Sequence, residues 1–226
     1  MMQALGESIF DVLYLSFVLV TGIQLLRART SPLVTRAGLM AVLLGGGDAF
    51  HLIPRMWALW TTGLEANAAL LGAGKAITSV TMTVFYVLLY FIWREYYGMG
   101  KQKPLTWTML GLAALRMALC LLPQNQWLSA QPPLSYGIAR NIAFAAMGVI
   151  IIVLFARQAR RAGDGVFRYM PLAVALSFGF YAPVVLFSAT APAVGMLMIP
   201  KTLAYVWVVV MCKKLYRKDQ KGERRQ

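Results

Sequence analysis

The sequence predicts an all-α, polytopic membrane protein: a bundle of seven transmembrane helices with its N-terminus outside and its C-terminus cytoplasmic. Three observations predict it. Of the 226 residues, 59% are apolar and only 13% charged, where a soluble domain carries about 25% charged residues. Seven apolar runs approach the ~20 residues that a membrane span requires. Lysine and arginine gather on alternate connections, which marks those connections as cytoplasmic.

The runs fall at roughly 9–27, 37–57, 68–93, 104–123, 137–157, 168–190 and 192–213. No positively charged stretch precedes the first, so it reads as a retained helix and not as a signal peptide. "RARTSP" closes it, and "EAN", "GMGKQKP", "QNQWLSAQPP", "RRAGDG" and "TAP" punctuate the rest. All are turn and breaker compositions. The sixth and seventh spans are joined by almost nothing, with Pro192 expected to restart the last helix. No repeat is strong enough to support an inverted-repeat transporter. The organisation is a seven-helix domain over 1–217 and a basic cytoplasmic tail over 218–226.

Orientation follows from the cations. Arg27, Arg29 and Arg36 follow span one; Arg94, Lys101 and Lys103 follow span three; Arg157, Arg160, Arg161 and Arg168 follow span five. The tail adds Lys213, Lys214, Arg217, Lys218, Lys221, Arg224 and Arg225, so 17 of the 22 basic residues share one side. The opposite connections hold only Arg55. A multi-pass protein of the plasma (inner) membrane results, its tail anchored against anionic lipid. The net charge of +14 lies between apolar runs and not in a basic folded module, which argues against nucleic acid as a partner. Cys120 and Cys212 fall near opposite membrane faces, so neither a disulfide nor metal-ligand spacing is expected.

Five basic residues remain: Arg55, Lys75, Arg116, Arg140 and Lys201. Their acidic counterparts are Asp11 and Asp48, with Glu7 and Glu65 at the outer edge. At a rise of about 1.5 Å per residue, Lys201, Asp48 and Arg116 each lie roughly 18 Å above the cytoplasmic edge. Asp11, His51, Lys75 and Arg140 come out higher, at about 22–28 Å. The inner half is almost purely apolar, with runs such as "VIIIVLF" and "VWVVVM".

A bare ion near the bilayer centre costs several kcal/mol, so these groups are expected to face the interior of the bundle or water. On span two, Asp48, His51 and Arg55 share one face by their spacing. Lys75 and Ser79 on span three, Arg140 and Asn141 at the start of span five, and Lys201 and Tyr205 on span seven complete a candidate ligand site. Its expected form is a polar cavity open to the outside and closed towards the cytoplasm. Simpler roles stand beside this one. Asp48 can be a register-fixing salt bridge with Lys201 or Lys75, and Arg55 and His51 can snorkel to the interface. Gly45, Gly46 and Gly47 suit a close helix crossing, and Pro183 an ordinary kink in span six.

With these residues placed, the pattern resembles rhodopsins. "FYAPVVLF" followed by "PKTLAYVW" is similar to their proline-kinked sixth helix and retinal-linking lysine. The resemblance implies retinal on Lys201 as a Schiff base. Span three, "GKAITSVTMTVFYVLLYFIW", carries Lys75 and no carboxylate where that family keeps its counterion, so Asp48 or Asp11 would substitute. A shorter stretch, "LLGGGDAFHLIPR", is similar to a span of the lysoplasmalogenase-like (YhhN) membrane proteins. That resemblance implies a lipid hydrolase with Asp48 as a site residue, though the later histidines of the family have no equivalent here.

An enzyme needs a general base and a nucleophile or metal. One histidine and two deep aspartates are poor material for that. A primary pump would need a nucleotide-binding loop, and a channel a polar path through the apolar inner half. The expectation is therefore a receptor, sensor or small transporter for a small anionic or carboxylate-bearing ligand. No cofactor is expected apart from the retinal alternative. A membrane scaffold is the further class, and a homo-oligomer is left open.

Overall fold

The computed structural model describes residues 2–100, 102–188 and 190–223. Among them every regular element is helical: α1 (Met2–Ala28), α2 (Pro32–Trp60), α3 (Ala68–Tyr96), α4 (Lys103–Leu121), α5 (Leu134–Ala162), α6 (Met170–Phe187) and α7 (Met198–Glu223). Short 3-10 turns at Pro123–Asn125 and Pro192–Leu197 follow α4 and precede α7. Among the described residues, seven helices are long and apolar enough to cross a membrane. Lys101, Arg224 and Arg225, counted above among the cytoplasmic cations, lie outside the described residues, as does Gln226.

Helix ends form where the sequence satisfies or spares backbone donors. The Ser31 hydroxyl accepts the Val34 N–H at 3.3 Å, and Pro32 opens α2 where its missing N–H costs nothing. Pro104 and Pro171 occupy equivalent early positions in α4 and α6. Gly163 ends α5 at φ 56°, the left-handed conformation that a glycine adopts without steric cost.

Consecutive helices pack against each other, and α7 closes the ring against α1. Polar contacts fix the antiparallel register. The Trp60 indole donates to Ser8 at 2.9 Å, and Thr78 donates to the Gly47 carbonyl at 3.0 Å. The end where α1, α3, α5 and α7 begin is called the upper end below.

The glycines of α2 make a close crossing, and the helix stays continuous through them. A Cβ on Gly45 would meet Leu19 of α1, and one on Gly47 would overlap the Thr81 hydroxyl of α3, while Gly46 faces open space. Higher up, Gly74 of α3 lies so close to α2 that a methyl would overlap the Phe50 carbonyl oxygen. Pro54 explains why that carbonyl is available: without an N–H it cannot take up the oxygen four residues earlier.

The last two helices depart from expectation. Pro192 starts a 3-10 turn, and the α-helix begins only at Met198. Pro200 then falls in the first turn, where its absent donor has no intrahelical acceptor to lose. At its other end α7 runs ten residues beyond Lys213, so the described part of the tail is helix. Two contacts dock it: Thr30 donates to Asp219 at 2.7 Å, and Lys218 to the Tyr96 hydroxyl at 3.2 Å.

The lower half holds an apolar and aromatic core that includes Phe85, Leu89, Trp93, Met109, Ile151, Phe155 and Phe167. Below it, the buried Asp164 carboxylate accepts from the Tyr96 and Tyr97 hydroxyls at 2.8 and 2.7 Å. It also accepts from the backbone N–H groups of Val166 and Phe167 at 2.8 and 2.9 Å, tying α3 to the α5–α6 turn. The outside of the bundle is apolar too, with Leu13, Trp57, Ile142 and Val149 more than half exposed.

Candidate ligand site in the polar core

Above that core, six helices point polar side chains inward. They divide into an acidic pole and a cationic pole.

The acidic pole is Asp48, in the middle of α2 and almost fully buried. Tyr14 of α1 donates its hydroxyl to Oδ2 of Asp48 at 2.6 Å. Asp11 lies buried on the same helix, among the charges of Glu7, Arg55 and Asp48. Across from Asp48, the buried Lys201 exerts the principal opposite charge, yet the two do not close a direct ion pair. The Lys201 ammonium instead sits 5.4 Å from the ring centre of Tyr181 and 5.2 Å from that of Tyr205. Both distances lie within cation–π range.

The cationic pole is Arg116 of α4, only 2% exposed. Its Cζ lies 3.4 Å above the centre of the Phe144 ring of α5. Its Nε and Nη1 are buried and meet no hydrogen-bond acceptor. Tyr181, Cys120, Tyr205, Tyr86 and Lys201 surround it, and no carboxylate among the described residues forms an ion pair with it. The Tyr86 and Tyr205 hydroxyls approach to 3.4 Å, longer than the ~2.7–2.8 Å of a strong O–H···O bond. Ser177 of α6 sits beside both hydroxyls. The cluster therefore sets two buried cations, Arg116 and Lys201, among hydroxyls that can both donate and accept. The Asp48 carboxylate is already served by Tyr14 and opposed by Lys201.

Of the residues the sequence singles out, Asp11, Asp48, Arg116, Lys201 and Tyr205 come together in the interior. The others lie towards the upper rim in contacts of their own. Arg55 forms an ion pair with Glu7, Nη2 and Nε each 3.0 Å from Oε2. Lys75 is exposed, and its carbonyl accepts from Ser79 at 2.8 Å. Arg140 donates to Asn125 Oδ1 at 2.7 Å and lies 4.1 Å from the centre of a Trp127 ring, bracing the α4–α5 connection. Asn141 donates to the Gly137 carbonyl at 2.8 Å. His51 is half-buried, with Nδ1 sealed and without a partner. Among the described residues, no three His, Cys, Asp or Glu side chains gather as a metal site.

Sequence reading missed Tyr14, Tyr86, Phe144, Ser177 and Tyr181. Single aromatic residues within apolar runs carry no signal that separates a site wall from ordinary packing. The sequence also suggested a cavity open to the outside; within the cluster Asp11, Asp48, Arg116, Lys201 and Tyr205 are buried, while Lys75 is exposed. No family model, curated protein or solved structure matches this chain, so the reading of the site rests on its own geometry.

Proposed function

We propose that this chain is a multi-pass membrane protein that binds a small anionic, carboxylate-bearing ligand in its polar core, as a receptor, sensor or small transporter. The proposed orientation puts the upper end outside and the basic lower end in the cytoplasm, following the distribution of lysine and arginine. An apolar exterior supports insertion in lipid, because a soluble bundle would expose a polar face.

One observation carries the ligand class: the buried Arg116 guanidinium, with Nε and Nη1 lacking an acceptor. Leaving such a donor unsatisfied costs about 1–3 kcal/mol, and more for a charged group. A carboxylate oxygen can accept a charge-assisted N–H bond from either of these nitrogens, roughly twice as strong as a bond between neutral groups. The Tyr86 and Tyr205 hydroxyls and the Lys201 ammonium stand close enough to add further donors. Entry requires the upper helices to part. The elements suited to that are α6, which carries Tyr181 and contains Pro183, and α7, which carries Lys201 and is preceded by the 3-10 turn.

The test is the melting of detergent-purified protein in acetate, lactate or benzoate against chloride at equal ionic strength. Stabilisation by at least one carboxylate, absent in Arg116→Gln, is the expected result. Identical melting in all four anions would remove carboxylates as the ligand class. A second reading, retinal on Lys201, is favoured by the charge of Asp48 opposite the Lys201 amine. Visible absorbance that disappears in Lys201→Met would select it.

A further inference from the structure

At the lower end of the bundle, away from the polar core, α3 and α4 flank an open cleft of about 350 Å³. Arg94, Gln102, Lys103, Thr106, Trp107 and Leu110 line it. Two of these are cations and none is an acid. The nearby acid on α3, Glu95, is occupied by an ion pair with Arg36 of α2. Arg94 is held in place by donating from Nη1 to Thr106 Oγ1 at 3.3 Å. The same hydroxyl oxygen lies 2.7 Å from the Tyr90 hydroxyl and donates to the Gln102 carbonyl at 2.8 Å. Arg94 therefore reaches the cleft as a positioned fork, and only one of its donors is used by that anchor. Lys103 is exposed and has no ion-pair partner among the described residues.

The lining is also ordered along the helix. Lys103 comes first on α4, Trp107 is one turn further in and 71% exposed, and Leu110 follows. At 1.5 Å per residue these lie roughly 6 and 10 Å above Lys103. Cation, amphipathic indole and aliphatic side chain in that sequence match the headgroup, interface and acyl region of a bilayer leaflet. A soluble phosphate would need the cations and would gain nothing from an exposed indole and leucine.

We infer that the Arg94–Lys103 cleft is a binding site for one anionic phospholipid, its phosphodiester between Arg94 and Lys103 and its acyl chain along Trp107 and Leu110. This rests on the membrane placement proposed above and is independent of the anion site at Arg116. A second basic cleft of about 490 Å³ lies between α5 and α6, and its lining includes Arg160, Arg168 and Asp164. It serves as the control, having the same two cations beside an acid.

Native mass spectrometry of the detergent-purified full chain, titrated with phosphatidylglycerol or phosphatidylcholine, tests the site. Near a membrane surface each Lys or Arg contributes about fivefold in affinity for anionic lipid. The Arg94→Gln/Lys103→Gln double variant should therefore weaken the first phosphatidylglycerol bound by more than tenfold and leave phosphatidylcholine unchanged. Arg160→Gln/Arg168→Gln removes the same charge and should retain that first lipid. Trp107→Ala, which changes no charge, should weaken it as well. Because Arg94 has structural contacts, Lys103→Gln alone is the fallback and should lose about fivefold. Equal losses in the two double variants would overturn the site, leaving only diffuse attraction to a basic surface. Full competition by glycerol 3-phosphate would overturn it too, since no acyl chain would then be needed. Wild-type protein that stays monodisperse without detergent would instead refute the membrane placement itself.

Discussion

The Arg116 guanidinium lies 3.4 Å above the Phe144 ring and beside the Cys120 thiol, while Nε and Nη1 find no acceptor. A cation over an aromatic face recovers roughly 2 kcal/mol when desolvated, less than the desolvation of an arginine costs. Arg116 is thus held at the expense of the fold. Arg116→Met, which keeps the volume and removes the orphan charge, is expected to leave melting unchanged or raise it. Replacing buried charge by apolar side chains stabilises by about 1–4 kcal/mol in favourable cases. Loss of more than about 2 kcal/mol in thermal or urea unfolding would mean that Arg116 is structural.

Tyr14 and Asp48 should behave as one unit. Tyr14→Phe deprives the buried carboxylate of its hydroxyl donor and is expected to cost about 1.5–3 kcal/mol. Asp48→Asn should cost a similar amount, and the double variant clearly less than the sum, because neither partner is then left behind. Strict additivity in the cycle would show that the 2.6 Å contact carries no coupling.

At the lower end, Asp164 predicts a pH response. Burial by itself pushes this carboxyl up. The N–H groups of Val166 and Phe167 and the hydroxyls of Tyr97 and Tyr96 outweigh that and hold it below the usual 3.8. A depressed folded-state pKa contributes stability that is fully present above the unfolded value and is lost as pH falls through the folded one. Wild type and Asp164→Asn should therefore differ by a constant amount across about pH 5–8, roughly 2–3 kcal/mol. They should converge only below about pH 4. A difference that changes between pH 6 and pH 8 would contradict the assignment.

The proposed topology assigns 17 of the 22 basic residues to the cytoplasmic side. A reporter fused after Gln226 should be cytoplasmic, and one inserted at Gln126, in the α4–α5 connection, extracytoplasmic. A reversed pair of signals would invert every statement about which face the polar core approaches.

Much of this was legible in the sequence. Apolar run length and breaker residues located seven helices, because both act locally. Helix rise alone singled out Asp48, Arg116 and Lys201 as a group, and all three are buried, with Lys201 within electrostatic reach of the other two. What depended on rotation and on partners was not legible. Lys75 satisfies the same spacing argument as Ser79, yet it is exposed, because helical spacing ranks faces without saying which neighbour each face meets. Tyr14 and Tyr86 read as packing within apolar runs until the fold gave them polar partners. Asp164 sits in "RRAGDG", which reads as a turn. Its four donors come from residues that only the tertiary fold or the local turn geometry brings to it.

The central claim is that the Arg116 guanidinium receives an anion. The most direct measurement is the Nε–Hε resonance of Arg116 in protein labelled with ¹⁵N-arginine, assigned by its absence in Arg116→Lys and followed during titration with benzoate and acetate. A charge-assisted bond to a carboxylate should move that resonance progressively to a saturating limit, while Arg55 and Arg140, already bonded to Glu7 and Asn125, stay in place. An Arg116 signal that stays fixed up to saturating carboxylate, or moves only as much as those of Arg55 and Arg140, would contradict the account.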